Sequence, residues 1–121
     1  MQSLRPGRDD GRAAFASFLA TKGAVRLHEA ILCALYWLDR ETPGPVQAND
    51  LRTIYPRHDG RLVTSPAQEL RHHVKRGLTA PMGDGLYRLT ELGRAVVEAL
   101  PDQDAVAKLR GVRPRGRRSR A

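Results

Sequence analysis

Cys33 is the only cysteine in 121 residues, so no disulfide can form within the chain. It sits in the run Ile31-Leu32-Cys33-Ala34-Leu35 and reads as a small core residue of an apolar helix. The longest apolar stretch, Ile31 to Leu38, falls far short of the roughly 20 residues a membrane helix needs. The opening MQSLRPGRDDGR has no apolar segment of the kind a secretory signal carries, so a cytoplasmic protein is expected. Neither a phosphate-cradling loop, a GxGxxG fingerprint nor a GxSxG elbow occurs. His72 and His73 are adjacent, which on a helix turns them about 100° apart and prevents both from chelating one ion. His28, His58 and Cys33 fall on separate elements with no ligand pair at metal-site spacing. No catalytic constellation, metal or cofactor is therefore expected, and the chain reads as a non-enzyme. Internal repeats are also missing, which excludes a solenoid.

Positive charge is what the chain has in excess. Its formal net charge is +8, which favours a polyanionic partner, and with no membrane segment nucleic acid leads. Arg113, Arg115, Arg117, Arg118 and Arg120 carry five of those charges, so residues 1–112 hold only +3. The folded part is mildly basic, followed by an arginine-rich tail. At this length there is room for one modest core.

Local patterns divide the chain. Residues 1–8, with Pro6-Gly7, predict a disordered N-terminus. Residues 9–23 predict a helix capped by Asp9-Asp10, edged by Phe15, Phe18 and Leu19 and stopped at Gly23. Leu27, Ile31, Leu35 and Leu38 recur at helical spacing and predict a longer helix from about Val25 to Arg40, with Tyr36 or Trp37 sealing the core edge. Thr42-Pro43-Gly44-Pro45 breaks it. Val46 to Tyr55 reads as the next helix, with Leu51, Ile54 and Tyr55 inward and Asn49 or Asp50 in its first turn, ended by Pro56. Arg57 to Thr64 is read as a connecting loop in which Arg57, His58 and Arg61 can reach phosphates. Residues 101–112 predict a short C-terminal helix with Ala105, Val106 and Leu109 on one side, and 113–121 a basic coil.

The segment from Ser65 to Leu100 carries the functional argument. Ser65-Pro66-Ala67-Gln68 is a helix-start signal with a capping box, and Gly77 is the stop. On a helical wheel Ala67, Leu70 and Val74 form a thin apolar edge. Gln68, Glu69, His72, Lys75 and Arg76 face the other way, with Arg71 and His73 on the flanks. A helix docked by one edge leaves its girth free to enter a major groove. There Gln pairs with adenine, while Arg and Lys read guanine or hold phosphate. Leu78-Thr79-Ala80 and Leu86-Tyr87-Arg88-Leu89, joined through Gly83-Asp84-Gly85, predict a β-hairpin with Leu78, Leu86 and Leu89 toward the core and Arg88 away. Thr90 or Glu91 then opens a helix bearing Leu92, Val96 and Leu100.

RGLTAPMGDGLYRLTELGRAVVEAL resembles the end of many winged helix-turn-helix domains of bacterial transcription regulators. The resemblance covers roughly residues 24–100. It implies a mainly α fold with a small β-hairpin, a winged helix-turn-helix, to which the N- and C-terminal helices read above are extra. It also implies that helix 65–76 lies in the major groove while wing 78–89 meets the backbone or minor groove. The expected function is sequence-specific binding of double-stranded DNA by a small, nucleoid-associated transcription regulator. Gln68, Arg71, His72 and Lys75 would read bases. Arg61, Thr64, Arg76 and Arg88 would position the backbone, and Arg113, Arg115, Arg117 and Arg118 would add sequence-independent grip. A homodimer would join through Phe15 and Phe18, or through Val106 and Leu109, and read inverted repeats. Two other functions compete. A winged helix also serves as a protein-interaction subunit of a larger complex, which the near-neutral folded part and Glu69 favour. An RNA- or ribosome-binding protein would use the basic tail, although little aromatic surface is left for stacking.

Overall fold

The long apolar helix foreseen in the sequence is the centre of the molecule, and the other elements pack around it. The computed structural model describes residues 8–23, 26–109 and 111. Among these residues the chain is mainly helical with a small antiparallel sheet. In order, the elements are α1 (Arg8–Ala20), α2 (Leu27–Glu41), β1 (Val46–Gln47), α3 (Ala48–Ile54), β2 (Arg57–His58), β3 (Arg61–Leu62), α4 (Pro66–Lys75), β4 (Thr79–Gly83), β5 (Leu86–Leu89), α5 (Glu91–Ala99) and α6 (Gln103–Leu109).

The N-terminal elements differ from expectation at their starts. Helix α1 already includes Arg8, so Asp9 and Asp10 lie inside it and are not its cap. The expected disordered segment and Val25 fall, apart from Arg8, outside the described residues. Helix α2 begins at Leu27 after Arg26, whose amide donates to Glu29 Oε1 at 3.2 Å. Ala30 to Leu35 are all buried, which makes this turn of α2 the core axis. Cys33 is fully buried here, and burial pushes its thiol up to about 12.

Val46 and Gln47 are a strand and not the first turn of a helix, which corrects the helix expected from Val46. Val46 pairs with Tyr87 and Gln47 with Leu86, so the sheet order is β1-β5-β4 with β5 in the middle. A β-branched, buried Val46 facing an open strand edge gains more from pairing than from a helical turn. Helix α3 then starts at Ala48, where the Gln47 amide donates to Asp50 Oδ2 at 3.2 Å. Leu51 and Ile54 are its buried residues, as read from the sequence, and Tyr55 is its half-buried C-cap.

The stretch Arg57 to Leu62 is a second small hairpin, not a loop. Arg57 pairs with Leu62 and His58 with Arg61 around an Asp59-Gly60 turn. Both turn residues have positive φ, 56° and 80°. That combination suits Asp followed by Gly and matches the right-handed twist of a hairpin.

On the N-terminal side of the core the aromatic residues collect. Phe15 is fully buried, with its ring centroid 5.5 Å from Tyr55 and 6.2 Å from Trp37. Phe18 stacks on Tyr36 at 5.7 Å. Docking of α1 against α2 and α3 therefore buries Phe15 and half-buries Phe18 against the chain's own core. Val106 of α6 is likewise buried in the chain's own core, leaving Leu109 as the exposed apolar residue of that helix. Helix α6 is fastened by Asp102 Oδ1, which accepts from the Ala105 amide at 3.1 Å, and by Gln103, which donates to Glu29 Oε2 at 3.1 Å.

Helix α5 closes the core with Val96 and Val97. Its N-cap Thr90 accepts from the Gly93 amide at 3.0 Å and donates to the Gly77 carbonyl at 2.7 Å. Gly93 lies so close to the preceding chain that a Cβ there would stand 2.1 Å from the Leu78 carbonyl oxygen. No helix among the described residues is long and apolar enough to cross a membrane.

Candidate nucleic-acid interface

Helix α4 runs from Pro66 to Lys75, between Ser65 and the C-cap Arg76, and Gly77 follows at φ 78°. These bounds agree with the sequence reading, but the start does not use the expected capping box. The Ser65 side chain makes no cap hydrogen bond, and Gln68 is exposed. Pro at the first helical position begins the helix by geometry alone, because its φ is preset and it has no amide to satisfy.

The inner edge of α4 is Pro66, Leu70 and His73, flanked by half-buried Ala67 and Val74. His73, placed on a flank by the wheel, is a core residue. Its Nε2 donates to the His28 carbonyl of α2 at 3.0 Å, a contact that compensates the burial of a polar ring and that no helical period could reveal. Thr79 adds a buried bond from its hydroxyl to the Leu70 carbonyl at 2.9 Å. Helix α4 is thus pinned to α2 on one side and to β4 on the other.

Everything assigned to base reading lies on the opposite side. Gln68, Arg71, His72 and Lys75 are all exposed, and Arg76 joins them at the helix end. Glu69, also expected outward, is half-buried. Arg61 and Thr64 are exposed just ahead of the helix. The structure therefore brings these residues together at one helix and its N-terminal approach.

The β4–β5 hairpin departs from expectation in two respects. Strand β5 is the central strand, so its alternation sets Tyr87 and Leu89 toward the core and Leu86 with Arg88 on the other face. Leu86 is accordingly half-buried and not a core residue. Arg88 points off the core face as predicted, but its guanidinium turns to Asp39 of α2, Nη2 to Oδ1 at 4.0 Å. It stands at the margin of the buried Asp39 carboxylate, and its side chain stays 41 % exposed. Strand β4 carries a bulge: Pro81 opposes Tyr87 and Gly83 opposes Leu86, so Met82 is the extra residue. At the tip Gly83, Asp84 and Gly85 all have positive φ, as the turn reading requires.

Arg113, Arg115, Arg117 and Arg118 lie outside the described residues. Among the described residues no cluster of His, Cys, Asp or Glu has the arrangement of a metal site. Sequence reasoning passed over Leu62 and Met82, which with Leu109 are the large apolar side chains most exposed among the described residues. An Asp-Gly pair follows one and precedes the other in the pattern of two hairpins, and that repeated dipeptide was the available signal.

No protein-family model, curated protein or solved structure matches the chain.

Proposed function

We propose that the protein is a winged-helix binder of double-stranded DNA, acting in the cytoplasm as a small transcription regulator. One observation carries the reading. Helix α4 buries only Pro66, Leu70 and His73, while Gln68, Arg71, His72 and Lys75 stand together in solvent. A helix held by one edge, with bidentate donors on its free girth and a Gly-turned hairpin directly after it, has the shape and chemistry of a major-groove reader. Arg61, Thr64 and Arg76 hold phosphates at its two ends, and the arginine tail adds grip that ignores sequence. Arg88, whose side chain is partly exposed beside Asp39, adds a backbone contact from the hairpin.

A protein partner is the second reading. The carboxylates of Asp59 and Asp84 at the two hairpin tips, and the mild charge of the folded part, favour it. Binding of the full chain and of residues 1–112 to random duplex and to a selected oligonucleotide pool, over a salt series, separates the two. Enrichment of one sequence that survives tail removal supports the DNA reader. DNA binding that disappears with the tail, with no enriched sequence, points to a protein partner.

A further inference from the structure

The two hairpins stand at opposite ends of α4. Strands β2–β3 lead into its N-terminus and β4–β5 leave its C-terminus. Each turns on an Asp-Gly pair with positive φ, and each carries one large exposed apolar residue. Leu62 is 56 % exposed although its neighbour Val63 is buried, and Met82 is 48 % exposed at the bulge. A bulge re-aims the side chain it displaces. A lone exposed apolar residue is ordinary on a protein surface, but these two sit on the hairpins that precede and follow α4.

Open clefts flank the first hairpin on two sides. A cleft of about 480 Å³ separates it from α1 and the end of α3, lined in part by Phe15, Leu19, Ile54 and His58. A second of about 890 Å³ lies toward Leu27 and the approach to α4. It is anchored at its base, where the Val63 amide donates to the Pro56 carbonyl at 2.7 Å and Tyr55 Oη shares a hydrogen bond with His58 Nδ1. Arg57 braces the turn through the Gly60 carbonyl at 3.1 Å and remains exposed, as does Arg61. The result is a short, stiffened arm with two cations, one tip carboxylate and one bare leucine.

We propose that β2–β3 is a second wing, so that the two hairpins bracket the duplex across the groove occupied by α4. The inference rests on the DNA reading above and adds a partner surface to it. Arg57 and Arg61 meet the phosphates on the flank reached from the N-terminus of α4, and Leu62 lies against deoxyribose in the adjoining minor groove. Met82 does the same on the other flank. Apolar side chains beside cations are the usual equipment for that groove, whose walls are sugar faces between phosphate rims. Asp59, at the tip, opposes the backbone and weakens the contact.

The experiment is fluorescence anisotropy of a labelled random-sequence duplex with the full chain across a salt series, joined to hydroxyl-radical footprinting on a selected duplex. Arg61→Gln weakens binding about fivefold at 0.15 M salt and lowers the magnitude of the salt slope by about one. Asp59→Asn keeps the turn, since Asn-Gly is equally at home there, and tightens binding by a few-fold. Gain from one tip substitution and loss from its neighbour exclude unfolding as the cause. Leu62→Ser weakens binding about fivefold with the slope unchanged, because it removes apolar contact and no charge. Footprints show protection on both sides of the major-groove contact, and Leu62→Ser erases one side. Binding weakened by Lys75→Gln but indifferent to Leu62→Ser and Asp59→Asn overturns the second wing and leaves the α4 reading standing. A full chain with no duplex binding overturns both.

Discussion

Arg94 of α5 donates from Nη2 to Asp39 Oδ2 of α2 at 2.9 Å, joining the closing helix to the end of the central one. The other carboxylate oxygen accepts from the Gly44 amide at 3.1 Å and fixes the chain where it leaves α2 for β1. One acid therefore organises α2, the Thr42–Pro45 break and α5, with Arg88 of β5 at its margin.

Burial alone would push the Asp39 carboxyl upward. The Arg94 hydrogen bond, the Gly44 amide and the nearby guanidinium charges outweigh it, so the group titrates below the ordinary carboxylate value. A carboxylate depressed in this way contributes stability above its unfolded pKa, near 3.9, and loses it as pH falls through the lower folded value. Asp39→Asn is expected to cost about 1–2 kcal/mol at pH 7. Urea unfolding at several pH values checks this. The gap between wild type and variant should hold from pH 7 to about 5, narrow below about 4 and close only beneath the folded value.

Gly93→Ala is expected to destabilise by about 1–3 kcal/mol, although alanine is the better helix former by about 1 kcal/mol. The added Cβ would stand 2.1 Å from the Leu78 carbonyl oxygen and 2.8 Å from Leu89 Cδ2. Backbone at that distance cannot rotate away as a side chain can. Thermal unfolding monitored by circular dichroism decides the sign, and a stabilised variant would refute the close approach.

Cys33 should ignore thiol reagents in the native state at pH 8 and react fully once the chain is unfolded in urea. Burial, the leading cause, pushes its thiol up to about 12, so the thiolate is scarce as well as covered. Native-state labelling faster than global unfolding would mean that α2 opens locally.

Gln68→Ala should relax base preference while leaving affinity for random duplex nearly unchanged. Deleting residues 113–121 should weaken binding to all duplexes alike and flatten the salt dependence. Selection from a randomised pool and a salt titration measure the two effects separately. Equal loss on cognate and random DNA from the Gln68 change would remove it from the base-reading set.

Much of this architecture was readable in the residues. Gly77, the Gly83-Asp84-Gly85 turn and the Leu27–Leu38 periodicity located α4, β4–β5 and α2 closely, since each is a local preference. What escaped depended on distant partners. Val46-Gln47 is too short to show alternation and becomes a strand only because β5 offers an edge. His73 looks like a surface residue until the His28 carbonyl is brought to it by folding across 45 positions. Arg88 was correctly set off the core face, but Asp39, which attracts it, lies 49 positions earlier in the sequence. Strands β2–β3 were missed for a different reason. Two-residue strands of Arg, His and Leu have no β pattern, and the Asp59-Gly60 turn was overshadowed by the expectation of a helix-to-helix connection. Helical spacing also set Gln68, His72 and Lys75 outward, but it did not separate exposed Arg71 from buried His73 on the flanks or foresee the half-burial of Glu69.

The gathering of rings around Phe15 also divides the molecule optically. Trp37, the sole tryptophan, packs against Phe15 at 6.2 Å and Phe18 at 5.3 Å, both from α1. Its emission reports whether that helix is seated. Helix α4 has no tryptophan or tyrosine of its own, so events on its outward face must be followed from a dye on the partner. Detachment of α1 and engagement of α4 can thus be observed in one cuvette, at separate wavelengths, without altering a residue.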